Sequence, residues 1–314
     1  MTDTAGQAVA VALGACVGSF LNVVIWRVPK GTFFRGGRRS HCPGCSAAIP
    51  LRHNIPVVSW LLLRGKAACC GTRIAWRYPL VEVLTAALFW LLAVFPPSGL
   101  APWPPNADGT SAFLLHACFV SLLIALTFID IDERLLPHVL TIPTMAVGLA
   151  GAVLLPAAYG SLGIRDIAPG GQALLFALVG MGAGAGLTWG VRVVSGWLFR
   201  QEAMGFGDVM LMAGIGAFIG WQDVLLTFFL ACALGALIGI AHRLVTGDLF
   251  ICFGPFLVAG ALITMFVGST VHEFLFVTWP SWQRANPVSP FLLLGLSLVA
   301  VLLLVVIVRK GRSP

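Results

Sequence analysis

Three aspartates in this chain stand where an aspartate is costly. Asp208 closes the stretch Gly205-Phe206-Gly207-Asp208, between two long apolar runs, and Asp130 and Asp132 close another apolar run in Phe128-Ile129-Asp130-Ile131-Asp132. An ionisable group at the edge of an apolar span is expensive and points to a function. Two carboxylates facing one water supply acid–base hydrolysis of a peptide. The ionised one takes a proton from the water, and the protonated one polarises the carbonyl. Carboxylates that close cannot both ionise readily, so they share a proton and titrate as a pair. The same acids would also suit proton coupling in a transporter with glycine-broken helices, and Asp208 alone would suit a helix N-cap. Asp130 lies deeper in its run than Asp132, which neighbours Glu133 and Arg134 and is expected in solvent. Asp130 and Asp208 are therefore the expected pair. Gly205 and Gly207 are expected to let the backbone turn sharply and another segment approach closely.

The elements that must position these acids are membrane spans. Of 314 residues, 59% are hydrophobic and 10% charged. Many apolar runs approach the roughly 20 residues that cross a bilayer. The expected fold class is an all-α polytopic membrane protein of about eight to nine spans, not a barrel of short alternating strands. The first span is expected at 8–26, retained rather than cleaved as a signal. Further spans are expected at about 80–95, 112–130, 139–156, 171–198, 208–220, 224–241, 251–270 and 289–308, with a tight turn at Trp221-Gln222-Asp223. Residues 27–78 form the long polar stretch and hold ten of the nineteen Lys and Arg residues. The positive-inside rule puts that loop, the basic tail and both acidic motifs on the cytoplasmic side. The same rule accounts for the net charge of +7 without nucleic acid, so lipid is the expected surroundings. The expected domains are the first span 8–26, a loop domain 27–78, a membrane core 79–270 and an added anchor 289–308. Gly180-Met181-Gly182-Ala183-Gly184-Ala185-Gly186 lies inside a span with no strand before it, so helix packing by small residues is expected rather than nucleotide binding. His116, also within a span, is expected to be a packed histidine.

Several stretches together resemble the bacterial type IV prepilin peptidases. They run from Gly14 to Pro29, Asn54 to Lys66 and Arg77 to Glu82, then through Phe128 to Pro137, Gly205 to Asp208 and Phe253 to Leu257. They occur in family order over about residues 10–265. The resemblance implies a GxGD-type aspartic endopeptidase of the bacterial inner membrane, with Asp130 and Asp208 catalytic at the cytoplasmic face. It implies prepilin and pseudopilin substrates whose short basic leader is removed, typically after Gly. It further implies N-methylation of the new terminus with S-adenosylmethionine, and ties Gly65, Lys66 and Glu82 to that second activity. A transporter would explain the acids without the cysteine loop. A structural subunit of a secretion machine would explain the loop without the acids. The resemblance decides against both. Where the family often has Asp after the Leu-Leu-Pro run, this chain has His138, so no third essential acid is expected there.

Cys42-Pro43-Gly44-Cys45 resembles half of a zinc knuckle. The family pattern pairs it with a second CxxC, but here the partner reads Lys66-Ala67-Ala68-Cys69-Cys70. Ala67 stands where the third ligand is expected and an extra cysteine stands at 69. Cys42, Cys45, Cys69 and Cys70 are the expected ligands of a structural zinc; adjacent ligands are awkward in sequence, which leaves His41 or His53 as the alternative to one of them, and a loop of reduced, unliganded cysteines as the alternative to the site. Cys16, Cys118, Cys232 and Cys252 are expected to be small packing residues.

Overall fold

The computed structural model describes residues 4–33, 42, 44–50, 53–97, 107–159, 167–199, 204–246 and 252–286. In order these form α1 (Thr4–Arg27), α2 (Val58–Leu62), α3 (Arg77–Val94), α4 (Ala107–Glu133), α5 (His138–Leu154), a 3₁₀ turn (Pro156–Ala158), α6 (Pro169–Phe199), α7 (Phe206–Thr246), α8 (Gly254–Glu273), a π turn (Phe274–Thr278) and α9 (Trp279–Ala285). The described residues are all-α, as expected from the long apolar runs. Six helices among the described residues are long and apolar enough to cross a membrane, and α5 is a shorter apolar helix. They are hydrophobic on all sides, the pattern of helices that meet protein on one face and lipid on the other. The expected span 289–308 lies outside the described residues. The chain divides into two compact units, residues 1–266 and 267–314.

At about 1.5 Å per residue, a straight 41-residue α7 would run about 60 Å, twice the hydrocarbon thickness. It is not straight. Gly220 has φ 79° and ψ 170°, a conformation open to glycine and costly for other residues, and it divides α7 into two arms. The turn expected at Trp221-Gln222-Asp223 is thus corrected. Those residues stay helical, and the break is made one position earlier by the residue lacking a Cβ.

Small residues set the helix spacing, because lipid is as apolar as a leucine side chain and association rests on close packing. A Cβ on Gly180 would collide with the Gly216 carbonyl of α7, and one on Gly184 with the Met212 carbonyl, whereas Gly182 and Gly186 face open space. The glycine run is a packing device, but only alternate glycines do the packing. Gly14 and Gly18 bring α1 against Ala86 and Glu82 of α3 in the same way. Between α4 and α7, Phe119 stacks on Phe218 with ring centres 3.9 Å apart. His116 lies edge-on to the same ring and its Nδ1 is 2.8 Å from the Ala112 carbonyl one turn back. It is a packed core residue.

Candidate active site

The site is assembled from helix ends. α4 stops because Arg134 takes φ 54° and returns its N–H to the Asp130 carbonyl at 2.9 Å. Pro137 then prevents continuation. Asp130 is therefore held in the last turn of α4 and is only 7% exposed. Its carboxyl lies against the backbone of Gly254, the first residue of α8, and is in hydrogen-bonding contact with it. A Cβ at Gly254 would stand about 2.5 Å from Asp130 Oδ2, so any side chain there would displace the carboxyl. This contact was missed in the sequence. The available signal was Gly254-Pro255 ahead of an apolar run, a helix start.

Asp208 is 9% exposed and sits in the first turn of α7. It is not the cap itself. Gly205 holds the cap position, and its N–H donates to Asp208 Oδ2 at 3.2 Å, the reach-back half of a capping box. Neither Gly205 nor Gly207 has positive φ, so no left-handed turn is made here. Gly207 serves close approach instead, since its Cβ would stand 2.8 Å from Leu136 Cβ in the α4–α5 connection. That contact docks the start of α7 beside the end of α4. The two carboxylates come within electrostatic reach of one another, and Cys252 is within reach of both. Each acid thus meets a backbone N–H at a helix N-terminus, where the macrodipole favours negative charge.

Asp132 is removed from this arrangement. Its Oδ2 accepts a 2.6 Å ion pair from Arg77 Nη1, with both side chains about one-third exposed. The expectation of a simply solvated Asp132 is therefore refined. Arg77, the first residue of α3, also donates to the Phe128 carbonyl at 3.5 Å and lies over the Phe128 ring, so it clasps the end of α4 on the face away from Asp130.

The sulfurs of Cys42, Cys45, Cys69 and Cys70 all lie within 4.8 Å of one another. Cys45 and Cys69 are 3.2 Å apart, Cys42 and Cys70 3.5 Å, and Cys69 and Cys70 3.9 Å. Ligands about 2.3 Å from a tetrahedral zinc are about 3.8 Å from one another, so the donor set fits. The backbone explains the unusual spacing. Ser46 N–H bonds the Cys42 carbonyl and Gly71 N–H bonds the Ala67 carbonyl, with positive φ at both Ser46 and Gly71. The two turns are equivalent, Cys70 matches Cys45, and Ala67 occupies the position of Cys42. Cys69 supplies the missing sulfur from inside its turn. Cys69 is pushed up to about 12 by its hydrogen bonds to the other thiols, Cys45 first. Cys70 is drawn down to about 6, chiefly by the Thr72 hydroxyl. As thiolate is the ligand form, a bound cation would displace the remaining protons.

Gly65, Lys66 and Glu82 are held at the two ends of α2. Glu82 Oε2 accepts the Val57 N–H at 2.7 Å, and Ser19 of α1 also bonds this carboxylate. Val57 itself has φ 60°, unusual for a β-branched residue. At the other end Gly65, φ 68°, lies under the Trp60 indole, whose Nε1 donates to the Ile74 carbonyl. Lys66 is exposed. Gly65 and Glu82 are thus occupied within the protein.

Fold and site define a multi-pass α-helical membrane protein with two buried aspartates at helix ends, within electrostatic reach of one another. Two family models match the sequence. The bacterial peptidase A24 N-terminal domain covers residues 12–95, and the type IV leader peptidase family covers residues 117–240. A prepilin leader peptidase/N-methyltransferase of Myxococcus xanthus is 40% identical over 236 residues, which are 75% of this chain and 62% of that protein. A type 4 prepilin-like proteins leader peptide-processing enzyme of Escherichia coli O78:H11 is 34% identical over 271 residues, covering 81% of this chain and 91% of that one. A prepilin leader peptidase/N-methyltransferase of Neisseria gonorrhoeae is 33% identical over 303 residues, covering 89% and 95%. No solved structure gives a significant match. The chain belongs to the type IV leader peptidase family, and it is an enzyme.

Proposed function

We propose that this chain cleaves the basic leader from type IV prepilins and pseudopilins at the cytoplasmic face of the inner membrane, with Asp130 and Asp208 as the catalytic dyad. The observation that carries the reading is that two nearly buried carboxylates from separate spans lie within electrostatic reach of one another, one at the end of α4 against the start of α8 and one at the start of α7. One carboxylate accepts a proton as water adds to the scissile carbonyl, while the protonated partner hydrogen-bonds the carbonyl oxygen. Collapse of the tetrahedral diol returns a proton to the departing amine. The backbone N–H groups of Gly205 and Gly254 orient the two carboxyls for this exchange. The substrate helix stays in the bilayer while its junction with the leader unwinds at the boundary, where its carbonyls become free for attack.

The same reading assigns N-methylation of the new terminus to the loop domain 27–78. When bound, S-adenosylmethionine would supply the methyl group from its sulfonium to the deprotonated terminal amine, the S–CH3 bond breaking and the sulfur leaving as a neutral thioether. The exposed ammonium of Lys66 suits its carboxylate. Glu82 acts by holding Val57 and hence the start of α2, not by touching the donor. Zinc at Cys42, Cys45, Cys69 and Cys70 fastens the two turns of the loop.

The experiment is to incubate purified protein with a prepilin, with and without S-adenosylmethionine, and weigh the products. The expected results are loss of the leader in both mixtures and one added methyl group only with the donor. An intact prepilin in both would refute the peptidase reading. A cleaved but unmethylated product in both would refute the second activity alone.

A further inference from the structure

Between the two spans α1 and α3, the short helix α2 and Ile55 just ahead of it expose a group of apolar side chains. Leu62 is 78% exposed, Leu61 61%, Ile55 49% and Val58 47%. In a water-facing loop four such exposed apolar side chains within eight residues would be a liability. Their position says where they belong. Val57, at the start of α2, is bonded through its N–H to Glu82, and between Arg77 and Glu82 the axis of α3 rises about 7.5 Å. The Glu82 side chain leans back toward the start of α3, so Val57 lies within the first turn and a half of that membrane-spanning helix. Ser19, which shares the carboxylate, lies well inside α1. Trp26 at the end of α1 and Trp76 just before α3 are both exposed, as aromatic residues at headgroup level are. The start of α2 therefore lies at or below that belt.

Charge points to the kind of lipid. Residues 27–78 carry ten Lys and Arg and no Asp or Glu. Arg64 and Lys66 follow α2 directly, and Arg73 pairs across from Lys66 in the turn that holds Cys69 and Cys70. An apolar face with a cationic rim on a segment tied at both ends to spans is the pattern of an interfacial helix.

We infer that α2 with the residues just before it is a membrane-surface anchor, whose Ile55, Val58, Leu61 and Leu62 side chains are seated in the anionic lipid headgroup layer of the bilayer that α1 and α3 cross. The anchor holds the cysteine turns and Gly65-Lys66 down on the membrane surface. Resting on the proposed second activity, this is where a newly cut substrate terminus emerges.

The test uses the full-length protein in nanodiscs, of phosphatidylcholine alone or mixed with phosphatidylglycerol, followed by hydrogen exchange of the amides of residues 57–64. The expected result is exchange several-fold slower in the anionic discs, with the difference removed by high salt. Leu61→Ser/Leu62→Ser should speed exchange in both discs without lowering the thermal midpoint in detergent. Arg64→Gln/Arg73→Gln should remove only the dependence on phosphatidylglycerol. Identical exchange in both lipids, unchanged by the leucine substitutions, would overturn the inference. So would a lowered midpoint for the leucine variant, which would show these side chains packed within the protein. Protection that arises only on adding a prepilin, equally in both lipids, would assign the face to substrate instead. None of these readouts depends on cleavage or methylation, so failure of the anchor and failure of the functional reading are separable.

Discussion

Asp130 and Asp132 differ by two positions and by everything that matters chemically. Asp130 is turned into the helix junction against Gly254, and Asp132 is turned out to Arg77. The partly exposed ion pair contributes at most about 1 kcal/mol. Asp132→Asn should therefore lower cleavage by less than about tenfold. Arg77→Ala, which also frees the Phe128 carbonyl and ring, should cost more than Asp132→Asn, and the double variant should cost less than the product of the two, as for groups that share one contact. Initial rates on a prepilin would show this. Gly254→Ala makes a stronger claim. A methyl group there falls on Asp130 Oδ2, so turnover should fall by about 100-fold or more while substrate affinity is kept. Equal turnover in Gly254→Ala and the parent would remove Gly254 from the site. The aspartates were legible in the sequence because a carboxylate in an apolar run advertises its cost. Gly254 was not, since its role is a space left for a residue far away in the chain.

At the scale of elements, regular helices were legible and their breaks were not. Gln222 and Asp223 suggested a loop by polarity, yet Gly220 makes the bend because backbone conformation, not polarity, decides it. Similarly, four alternating glycines in α6 look alike in sequence, but the helix turns only Gly180 and Gly184 toward α7. Gly180→Val should therefore destabilise the protein by about 1–3 kcal/mol through overpacking, whereas Gly182→Val should be close to neutral. Thermal unfolding in one detergent compares them directly. The cysteine loop teaches the same lesson. Adjacent Cys69 and Cys70 are awkward as joint ligands in sequence, and the turn explains them by placing Ala67 in the position that matches Cys42. Cys69→Ala should lower bound zinc, and Ala67→Cys in that background should restore it. Metal content of purified protein reads this without reference to activity. Failure of the restored cysteine to recover zinc would contradict the equivalence of the two turns.

For the whole molecule, the sequence carried the class and the family, because composition and motifs are properties of the chain itself; of the expected spans, six helices among the described residues are long and apolar enough to cross a membrane and α5 is a shorter one. The sequence did not carry how distant helix ends meet. The junction depends on Gly207 admitting Leu136, on Arg134 ending α4 and on α8 starting at Gly254, and none of these pairings has a local signature. The central claim is that Asp130 and Asp208 act as one catalytic unit, and cleavage of a single prepilin by four proteins tests it most directly. The parent, Asp130→Asn, Asp208→Asn and the double variant should be purified in the same lipid, with equal insertion and thermal stability confirmed. Each single variant should lose at least about 100-fold in turnover, and the double variant should lose little more than either single, as for residues acting as a unit. Substantial cleavage by either inserted single variant would contradict the claim.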